Sequence, residues 1–237
     1  LERTAALEQA NQELARSNRE LEQFNYAAAH DLKSPLRGIH HLVQWISEDA
    51  AAVLPPVSQK HLRLLHGRVQ RLETLLDDML AYSQIGRVHY VPEAVDINLL
   101  VQNLIDLLAP PPGFTITLPA PLPTLVTMRT PLETVLRNLL SNTIKHHHQP
   151  DRGYVEVTAR ALDAWVEFTI QDNGPGIDPI FHERIFDMFQ TLQPRDQVEG
   201  SGVGLALVKK TLESYGGQIR VDSSKGAGTT FHFTWPT

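Results

Sequence analysis

Three polar side chains in the second half of the chain are spaced to share one face of a helix. Asn138, Asn142 and Lys145 stand at i, i+4 and i+7. An amide oxygen suits Mg²⁺, which shares its coordination with nucleotide phosphates, and an ammonium group neutralises those phosphates. The alternative interpretation is a solvated polar face, the usual setting of a single asparagine in a helix. Taken together, the trio favours a site for a nucleotide with Mg²⁺.

The segment IQDNGPGI, residues 170–177, ends a strand of alternating apolar residues at Asp172. Gly174, Gly176 and the proline between them predict a tight backbone turn. Such a segment is most often an ordinary turn. A buried carboxylate at its start would also accept a hydrogen bond from an adenine amino group, and the glycines would let the base approach the backbone.

A second glycine-containing segment, EGSGVGLALVKK, places Gly200, Gly202 and Gly204 ahead of an amphipathic helix that ends near Gly216. Glycines that open a helix leave N–H groups for an anion, and the helix dipole reinforces that attraction. The spacing fits a dinucleotide-binding GxGxxG motif only loosely and comes late in the chain, so a Rossmann site is disfavoured.

Between the two glycine segments lies FHERIFDMFQTL, in which Phe181, Phe186 and Phe189 are spaced to cover one face. Aromatic residues in such a pattern usually belong to a hydrophobic core. The following segment, residues 193–201, has no regular pattern and is a candidate lid over a bound nucleotide, with Arg195 as a candidate phosphate contact.

A histidine near the N-terminus lies in a strong helix-forming stretch, NYAAAHDLKSPLRGIHHL, that contains Pro35. Pro35 has no N–H and its ring crowds the carbonyl of Asp31, so the sequence predicts a kink beside His30. We hypothesise that this loosened turn lets the helix bend; the alternative is a proline tolerated on a solvent-facing bend. One face of the helix, at i, i+3, i+4 and i+7, carries His30, Lys33, Ser34 and Arg37.

Two long helices are predicted in the first part of the chain. The heptad pattern of the first helix consists of Leu7, Leu14 and Leu21, each followed three positions later by Ala10, Ser17 or Phe24. This pattern favours a coiled coil, although an ordinary amphipathic helix is the alternative. A second helical pattern runs from Leu62 to Tyr82 after a proline-containing turn, which predicts an antiparallel hairpin. Because a lone hairpin exposes an apolar stripe, we expect a homodimer that covers it as a four-helix bundle.

From about Val91 onward, short β-rich runs alternate with helices, which indicates a separate α/β domain. One helix of that domain is predicted to begin with Thr130 as N-cap and Glu133 closing a capping box. Three consecutive histidines follow this helix, and neighbouring residues on a helix point too far apart to share one metal. We expect His147 and His148 to face solvent.

The composition excludes several classes of function. The 237 residues carry a net charge of -6, which argues against a broad binding surface for nucleic acid or anionic membrane. Cysteine is absent, so disulfides and thiol catalysis are excluded, and a reducing cytoplasmic setting is expected. The chain opens at Leu1 rather than methionine, so we expect a fragment of a longer protein.

Six segments in chain order resemble the conserved boxes of sensor histidine kinases. They are HDLKSPLR (H box), NLLSNTIKH (N box), DNGPGI (first glycine box), FDMF (phenylalanine box), GSGVGLALVK (second glycine box) and GAGTTF (third glycine box). The resemblance implies an α+β protein, with a dimeric helical hairpin that carries a phosphoacceptor histidine followed by a Bergerat-type ATP-binding α/β sandwich. The implied domains are a coiled-coil signalling helix over 1–24, a dimerisation and phosphotransfer domain over 25–88 and a catalytic domain over 92–237. The resemblance also implies an upstream sensor domain in the full-length protein and leaves membrane tethering of that protein open.

The resemblance also implies roles for individual residues. His30 would be the phosphoacceptor and Asp31 its acid-base partner, and Asn142 would be the Mg²⁺ ligand. Asp172 would bind adenine, and Thr229 would close the far side of the base. The implied catalytic set is His30, Asp31, Ser34 and Arg37. The implied nucleotide-binding set is Asn138, Asn142, Lys145, His146, Asp172, Gly174, Gly176, Ile177, Gly200, Gly202, Val203, Gly204, Leu205 and Thr229.

The implied reaction is ATP-dependent phosphorylation of His30, followed by transfer of the phosphoryl group to an aspartate of a response regulator. Ser34 stands where many relatives have Thr or Asn, which leaves phosphatase activity open. One alternative is an ATP-binding dimeric signalling scaffold without autokinase activity, but His30, Asp31, Asn142 and Asp172 are all present. An ATPase clamp is a further alternative, which the histidine-bearing hairpin disfavours.

Overall fold

The computed structural model describes residues 2–50, 53–192 and 200–237. Among the first 25 residues, side chains are described only at Gln9, Glu13, Arg16, Ser17, Glu20 and Gln23. The chain divides into two compact units, Leu1–Gln84 and Ile85–Thr237.

The first unit consists of two helices, α1 (Glu2–Ala50) and α2 (Pro56–Gln84). They run antiparallel, because Lys33 pairs with Asp77 while the later residue His40 pairs with the earlier residue Glu73. The helical hairpin predicted from the sequence is therefore confirmed. Helix α1 continues unbroken through Pro35.

The predicted heptad seam falls almost entirely outside the described side chains. Of its members only Ser17 is described, and that side chain is exposed. Leu7, Ala10, Leu14, Leu21 and Phe24 lie outside the described side chains, so the coiled coil stays a prediction. The lid also stays a prediction, because Arg195 and its neighbours from 193 to 199 lie outside the described residues.

The second unit is an α/β domain with three helices and seven strands among its described residues. The helices are α3 (Ile97–Leu108), α4 (Arg129–Lys145) and α5 (Gly204–Ser214). The strands are β1 (Glu93–Asp96), β2 (Thr115–Thr117), β3 (Thr124–Thr127), β4 (Tyr154–Leu162), β5 (Trp165–Asp172), β6 (Ile219–Ser223) and β7 (Thr229–Pro236). Short 3₁₀ turns cover Pro150–Arg152, Pro179–Phe181 and Arg184–Phe186.

The main sheet has the strand order β2-β4-β5-β7-β6, in which only the β2–β4 pair is parallel. Alternate residues of β7 are buried, as expected for a strand whose one face packs on a core. That face and the apolar faces of α3, α4 and α5 form one continuous core, which includes Leu136, Phe168 and Trp235. A small antiparallel sheet, β1–β3, is tied to this core by the Trp235 Nε1–H, which donates to Thr127 Oγ1 at 2.7 Å.

Two sequence-based predictions about this domain need correction or refinement. Helix α4 begins at Arg129 with Met128 as N-cap and no side-chain cap bond, so the prediction that Thr130 caps it is wrong. Strand β3 ends at Thr127 and leads almost directly into the helix, which leaves Thr130 inside the first turn. The aromatic prediction holds in part, since Phe181 and Phe186 pack against the core while Phe189 is exposed.

Candidate functional site

The Asp172 carboxylate is held in place at the end of β5, opposite Thr229 at the start of β7. Its Oδ1 accepts hydrogen bonds from the backbone N–H groups of Gly174 at 2.8 Å and Thr229 at 3.1 Å. No residue that the structure describes donates to the second oxygen, Oδ2. One oxygen therefore fixes the side chain, and the other is available to a ligand.

Burial raises the pKa of the Asp172 carboxyl above the usual range for aspartate. The N–H groups of Gly174 and Thr229 and the nearby His147 oppose this effect without cancelling it. The ionised form is thus incompletely solvated and incompletely paired. A ligand donor such as an exocyclic amine would supply the missing hydrogen bond.

The turns around Asp172 approach each other at two glycines that have positive φ angles. A Cβ on Gly176, at φ +69, would lie 2.0 Å from the backbone oxygen of Ser224, and one on Gly228, at φ +80, would lie 2.1 Å from the backbone oxygen of Asp172. Both the backbone conformation and the contact distance therefore require glycine. These approaches bring the predicted residues Asp172, Gly174, Gly176 and Thr229 into one place.

Ser223, a residue not identified from the sequence, links the parts of this pocket wall. Its Oγ accepts from the Ile177 N–H at 2.8 Å and donates to the Gly228 oxygen at 2.7 Å. Its Oγ also lies 3.3 Å from Oγ1 of the buried Thr229. The predicted residue Ile177 is thus positioned by a serine 46 residues away in the chain. Only the β6–β7 pairing identifies that serine, and no motif marks it.

Helix α4 presents the three polar residues that were predicted to share a face. Asn138 Nδ2 donates to the Thr134 oxygen at 2.8 Å, and a Cβ on Gly204 would lie 2.9 Å from Asn138 Oδ1. Asn138 therefore lies against the first residue of α5. The side chains of Asn142 and Lys145 make no hydrogen bond or ion pair with any described residue, so their polar atoms are available to a ligand.

The second glycine segment leads into α5 through a sharp bend. Gly202 has φ +72, and its oxygen accepts from the Phe189 N–H at 2.8 Å. The Val203 side chain is fully buried and Leu205 packs against the core, so both side chains belong to the core. The Val203 N–H donates to Ser201 Oγ at 3.1 Å. Gly200 is exposed, and a Cβ there would meet no atom of the described residues within 4 Å. The N–H groups at the start of α5 thus come close to the polar face of α4.

The prediction that His147 faces solvent is wrong, whereas His148 is exposed as expected. The His147 ring packs nearly perpendicular to the ring of Phe114, with centroids 5.5 Å apart, and its Nε2 is 2.9 Å from Oδ1 of Asn173. Helix α4 ends at Lys145, and its C-cap His146 donates its N–H to the Asn142 oxygen, so the histidines do not continue a solvent-facing helix. His146 itself is exposed beside Lys145.

In the helical hairpin, His30 is a surface residue of α1 whose side chain is 71% exposed. Its Nδ1 lies 3.3 Å from Oδ1 of Asp31, and the ring of Tyr26 is stacked beside it with centroids 6.5 Å apart. Ser34 and Arg37, which were predicted to share the face of His30, are both exposed. Lys33 is paired with Asp77 of α2 instead of being available to a ligand on that face.

Two family models match consecutive parts of the chain. The His Kinase A (phospho-acceptor) domain matches residues 20–87, and the histidine kinase-, DNA gyrase B- and HSP90-like ATPase matches residues 127–237. The first match contains His30, and the second contains the pocket around Asp172. The two matches therefore coincide with the two candidate sites.

Curated relatives and solved structures agree with these matches. Cyanobacterial phytochrome B of Nostoc sp. strain PCC 7120 is 36% identical over 99% of this chain and 32% of its own length. The methanogenesis regulatory histidine kinase FilI of Methanothrix harundinacea strain 6Ac is 33% identical over 95% of this chain and 26% of its own length. The chain thus spans about a third or less of these relatives.

Among solved structures, full-length ShkA in complex with AMPPNP superposes with a TM-score of 0.71 at 26% identity, covering 90% of this chain and 45% of that chain. The mycobacterial sensor histidine kinase MprB has a TM-score of 0.51 at 29% identity, covering 62% of this chain and 97% of that chain. With a phosphoacceptor-type hairpin, an ATPase-type α/β domain and these relatives, the chain belongs to the sensor histidine kinases of two-component systems.

Proposed function

We propose that the chain phosphorylates itself on His30 from ATP and then transfers the phosphoryl group to an aspartate of a response regulator. The observation that carries the proposal is the exposed His30 ring with a carboxylate beside one of its nitrogens. An attacking imidazole must be accessible and neutral, and it needs a partner for the proton on its other nitrogen. Asp31 is placed to be that partner.

The hydrogen-bond geometry supports a division of roles between the two ring nitrogens. If Nδ1–H donates to Asp31 Oδ1, the lone pair of Nε2 is left for the γ-phosphorus. A bond from Nε2 to phosphorus forms while the bond to the β–γ bridging oxygen breaks, and the bond electrons leave with ADP. Asp31 stabilises the positive ring as it develops. In the second transfer, the regulator's carboxylate attacks phosphorus and the electrons of the N–P bond return to Nε2.

Nucleotide binding is assigned to the pocket wall around Asp172, with its free Oδ2 toward the adenine amino group. Asn138 and Lys145 would contact the phosphates. The uncommitted amide of Asn142 fits the oxygen ligand that Mg²⁺ needs, and the ion would neutralise charge on the phosphates when bound. In that arrangement the N–H groups of Gly202, Gly204 and Leu205, at the start of α5, would face the same phosphates.

The proposed organisation has three parts: a signalling coiled coil over 1–24, a dimerisation and phosphotransfer domain over 25–88 and a catalytic domain over 92–237. The hairpins of two copies would form a four-helix bundle, and a sensor domain upstream would control it in the cytoplasm. Within the part of the chain that the structure describes, no helix is both long and apolar enough to span a bilayer.

Labelling with γ-³²P-ATP and Mg²⁺ tests the acceptor. We expect acid-labile label on the wild type, none on His30→Gln, and wild-type labelling on His41→Gln, which removes another exposed imidazole from the same helix. Chase with a receiver domain should move the label to an aspartate. Label that persists on His30→Gln would contradict the assignment of the acceptor, and a wild type that binds adenine nucleotide but stays unlabelled would favour the scaffold.

A further inference from the structure

The buried ring of His147 has no part in the proposed phosphoryl transfer, yet it contacts the turn that carries Asp172. Only 8% of His147 is exposed, whereas its neighbours His146 and His148 are exposed. A Cβ on Gly174 would lie 3.5 Å from the Cδ2 atom of this ring. The ring therefore fills the space between the ring of Phe114 and the turn that follows β5.

The hydrogen bonds of His147 specify its tautomer. Its Nδ1 lies 3.1 Å from the backbone nitrogen of Gln149, which can only donate, so Nδ1 is the acceptor. In a neutral ring the proton then resides on Nε2, which donates to Oδ1 of Asn173 at 2.9 Å. Both ring nitrogens thus have one assigned partner, and their roles differ.

The orientation of the Asn173 amide is also determined by backbone partners. Its Oδ1 accepts from the Tyr154 N–H at 2.7 Å, and its Nδ2 donates to the Arg152 oxygen at 3.2 Å. Exchanging the amide oxygen and nitrogen would place a donor against the Tyr154 N–H and an acceptor against the Arg152 oxygen. The side chain therefore joins three elements: the start of β4, the segment after α4 through His147, and the turn after β5.

We propose that His147 is a positioning residue for the adenine-binding carboxylate. It holds Asn173 and packs on Gly174, whose N–H in turn donates to Asp172 Oδ1. Through that path the ring fixes the direction in which Asp172 Oδ2 faces a bound base. The inference rests on the proposed binding of adenine nucleotide at Asp172.

The test compares three single variants by calorimetric titration with Mg²⁺ and a non-hydrolysable ATP analogue. His147→Leu keeps the volume and loses both hydrogen bonds, so we expect the Kd to rise about five- to tenfold. His147→Gln keeps a donor near the position of Nε2 and should restore affinity to within about twofold of wild type. His89→Leu, which removes an exposed imidazole from the same unit, should bind as the wild type does.

Two further readouts separate positioning from general destabilisation. In autophosphorylation assays His147→Leu should raise the KM for ATP by the same factor and leave kcat nearly unchanged. Asn173→Ala should weaken nucleotide binding to a similar extent. The double variant His147→Leu/Asn173→Ala should lose no more affinity than either single variant, because both residues act on one path. If His147→Leu does not fold, the Kd and KM of Asn173→Ala still test the path through Asn173, and wild-type values in that variant would overturn the positioning role.

Distinct outcomes overturn distinct claims. Wild-type affinity in His147→Leu, losses in His147→Gln as large as in His147→Leu, or additive losses in the double variant would each overturn the positioning role. If the wild type binds no adenine nucleotide while remaining folded, the proposed function itself fails, and this inference fails with it.

Discussion

The two units of the chain bury their apolar residues to very different degrees. In the α/β domain, Phe168, Phe233 and Trp235 are almost fully buried, and they belong to one core with three helices. In the hairpin, the buried hydrophobic residues among those described are Ala29, Val43, Val69 and Leu76. Its exposed large hydrophobic residues include Leu32, Ile39, Leu42, Trp45, Ile46, Leu64, Leu65 and Leu72.

This difference follows from geometry. A sheet with helices on one face encloses a core within a single chain, whereas two helices cover each other along only one stripe. The pairs Lys33–Asp77 and His40–Glu73 tie α1 to α2 but bury little apolar surface. The α/β domain therefore buries its own apolar core, whereas the apolar stripe of the hairpin needs a second surface to cover it. A second copy of the hairpin supplies that surface in the proposed bundle.

Among the tests of this comparison, disruption of the proposed dimer should have the largest effect. Leu42, 55% exposed on α1, should lie in the shared interface, and Leu107, 67% exposed on α3, should not. Leu42→Ser removes two side chains from a symmetric interface and should weaken the dimer by about 3–6 kcal/mol. Light scattering after size exclusion should then show monomers at micromolar concentration.

Leu107→Ser is the matched control, and it should leave the dimer intact. An unchanged dimer in Leu42→Ser would show that this apolar stripe is not the interface between copies. Monomers in both variants would point to a general loss of folding.

The completeness of the α/β core is tested by Phe168→Ala. Phe168 is fully buried and stacks on Phe233 with ring centroids 4.9 Å apart. Truncation should lower the free energy of unfolding of this domain by about 3–5 kcal/mol, which urea denaturation measures. Ile180, 72% exposed in the turn Pro179–Phe181, offers a control, and Ile180→Ala should cost less than about 1 kcal/mol. Equal costs would mean that the core is less well packed than its burial indicates.

The sheet could be predicted from the sequence because alternation is a local signal. The runs that became β4, β5, β6 and β7 alternate apolar and polar residues, and one buried face follows directly. The start of α4 could not be predicted in this way. Thr130 satisfies the local capping pattern, but the end of β3 at Thr127 decides where the helix begins.

The errors at the site have the same origin. His147 is buried by Phe114 and held by Asn173, 26 residues further along the chain, and nothing adjacent to it signals either contact. Asp172 was identifiable because a carboxylate, two glycines and a proline stand together in sequence. Motifs therefore mark side chains whose polar atoms stay unpaired among the described residues, such as Asp172 Oδ2 and the Asn142 amide, whereas the roles of His147, Asn173 and Ser223 required the structure.

Asp172→Asn should move nucleotide affinity and stability in opposite directions. Its amide would present a donor to the adenine amino group, so we expect binding to weaken about 10- to 100-fold. Burial raises the pKa of Asp172, so the folded domain loses stability as pH rises through that pKa and the carboxyl ionises. The ligand-free variant should lack this pH dependence and be at least as stable as the wild type at neutral pH.

Wild-type nucleotide affinity should show the opposite trend, weakening as pH falls and Asp172 gains its proton. Asp163→Asn, at the exposed turn between β4 and β5, is the control and should change neither property. If Asp172→Asn weakened both nucleotide binding and stability at neutral pH, the main role of the carboxylate would be to stabilise the folded domain, and the loss of binding would follow from that.

Pro35→Ala probes the hairpin at the place where its helix lacks one backbone hydrogen bond. The alanine N–H can bond to the Asp31 carbonyl, so the hairpin should gain about 1 kcal/mol, which is less than the roughly 3 kcal/mol of an uncompensated interior proline. If the loosened turn lets α1 bend during catalysis, the ratio of autophosphorylation to any phosphatase activity should also change.

The matched variant is Gly38→Ala, three residues further along the same helix, where a Cβ meets open space. It should stabilise α1 by a similar amount through helix propensity alone, without restoring the hydrogen bond beside His30. An altered ratio in Pro35→Ala but not in Gly38→Ala would attribute the effect to the bend. Equal changes in both variants would attribute it to helix stability, and the hairpin would then differ from the α/β domain in packing alone.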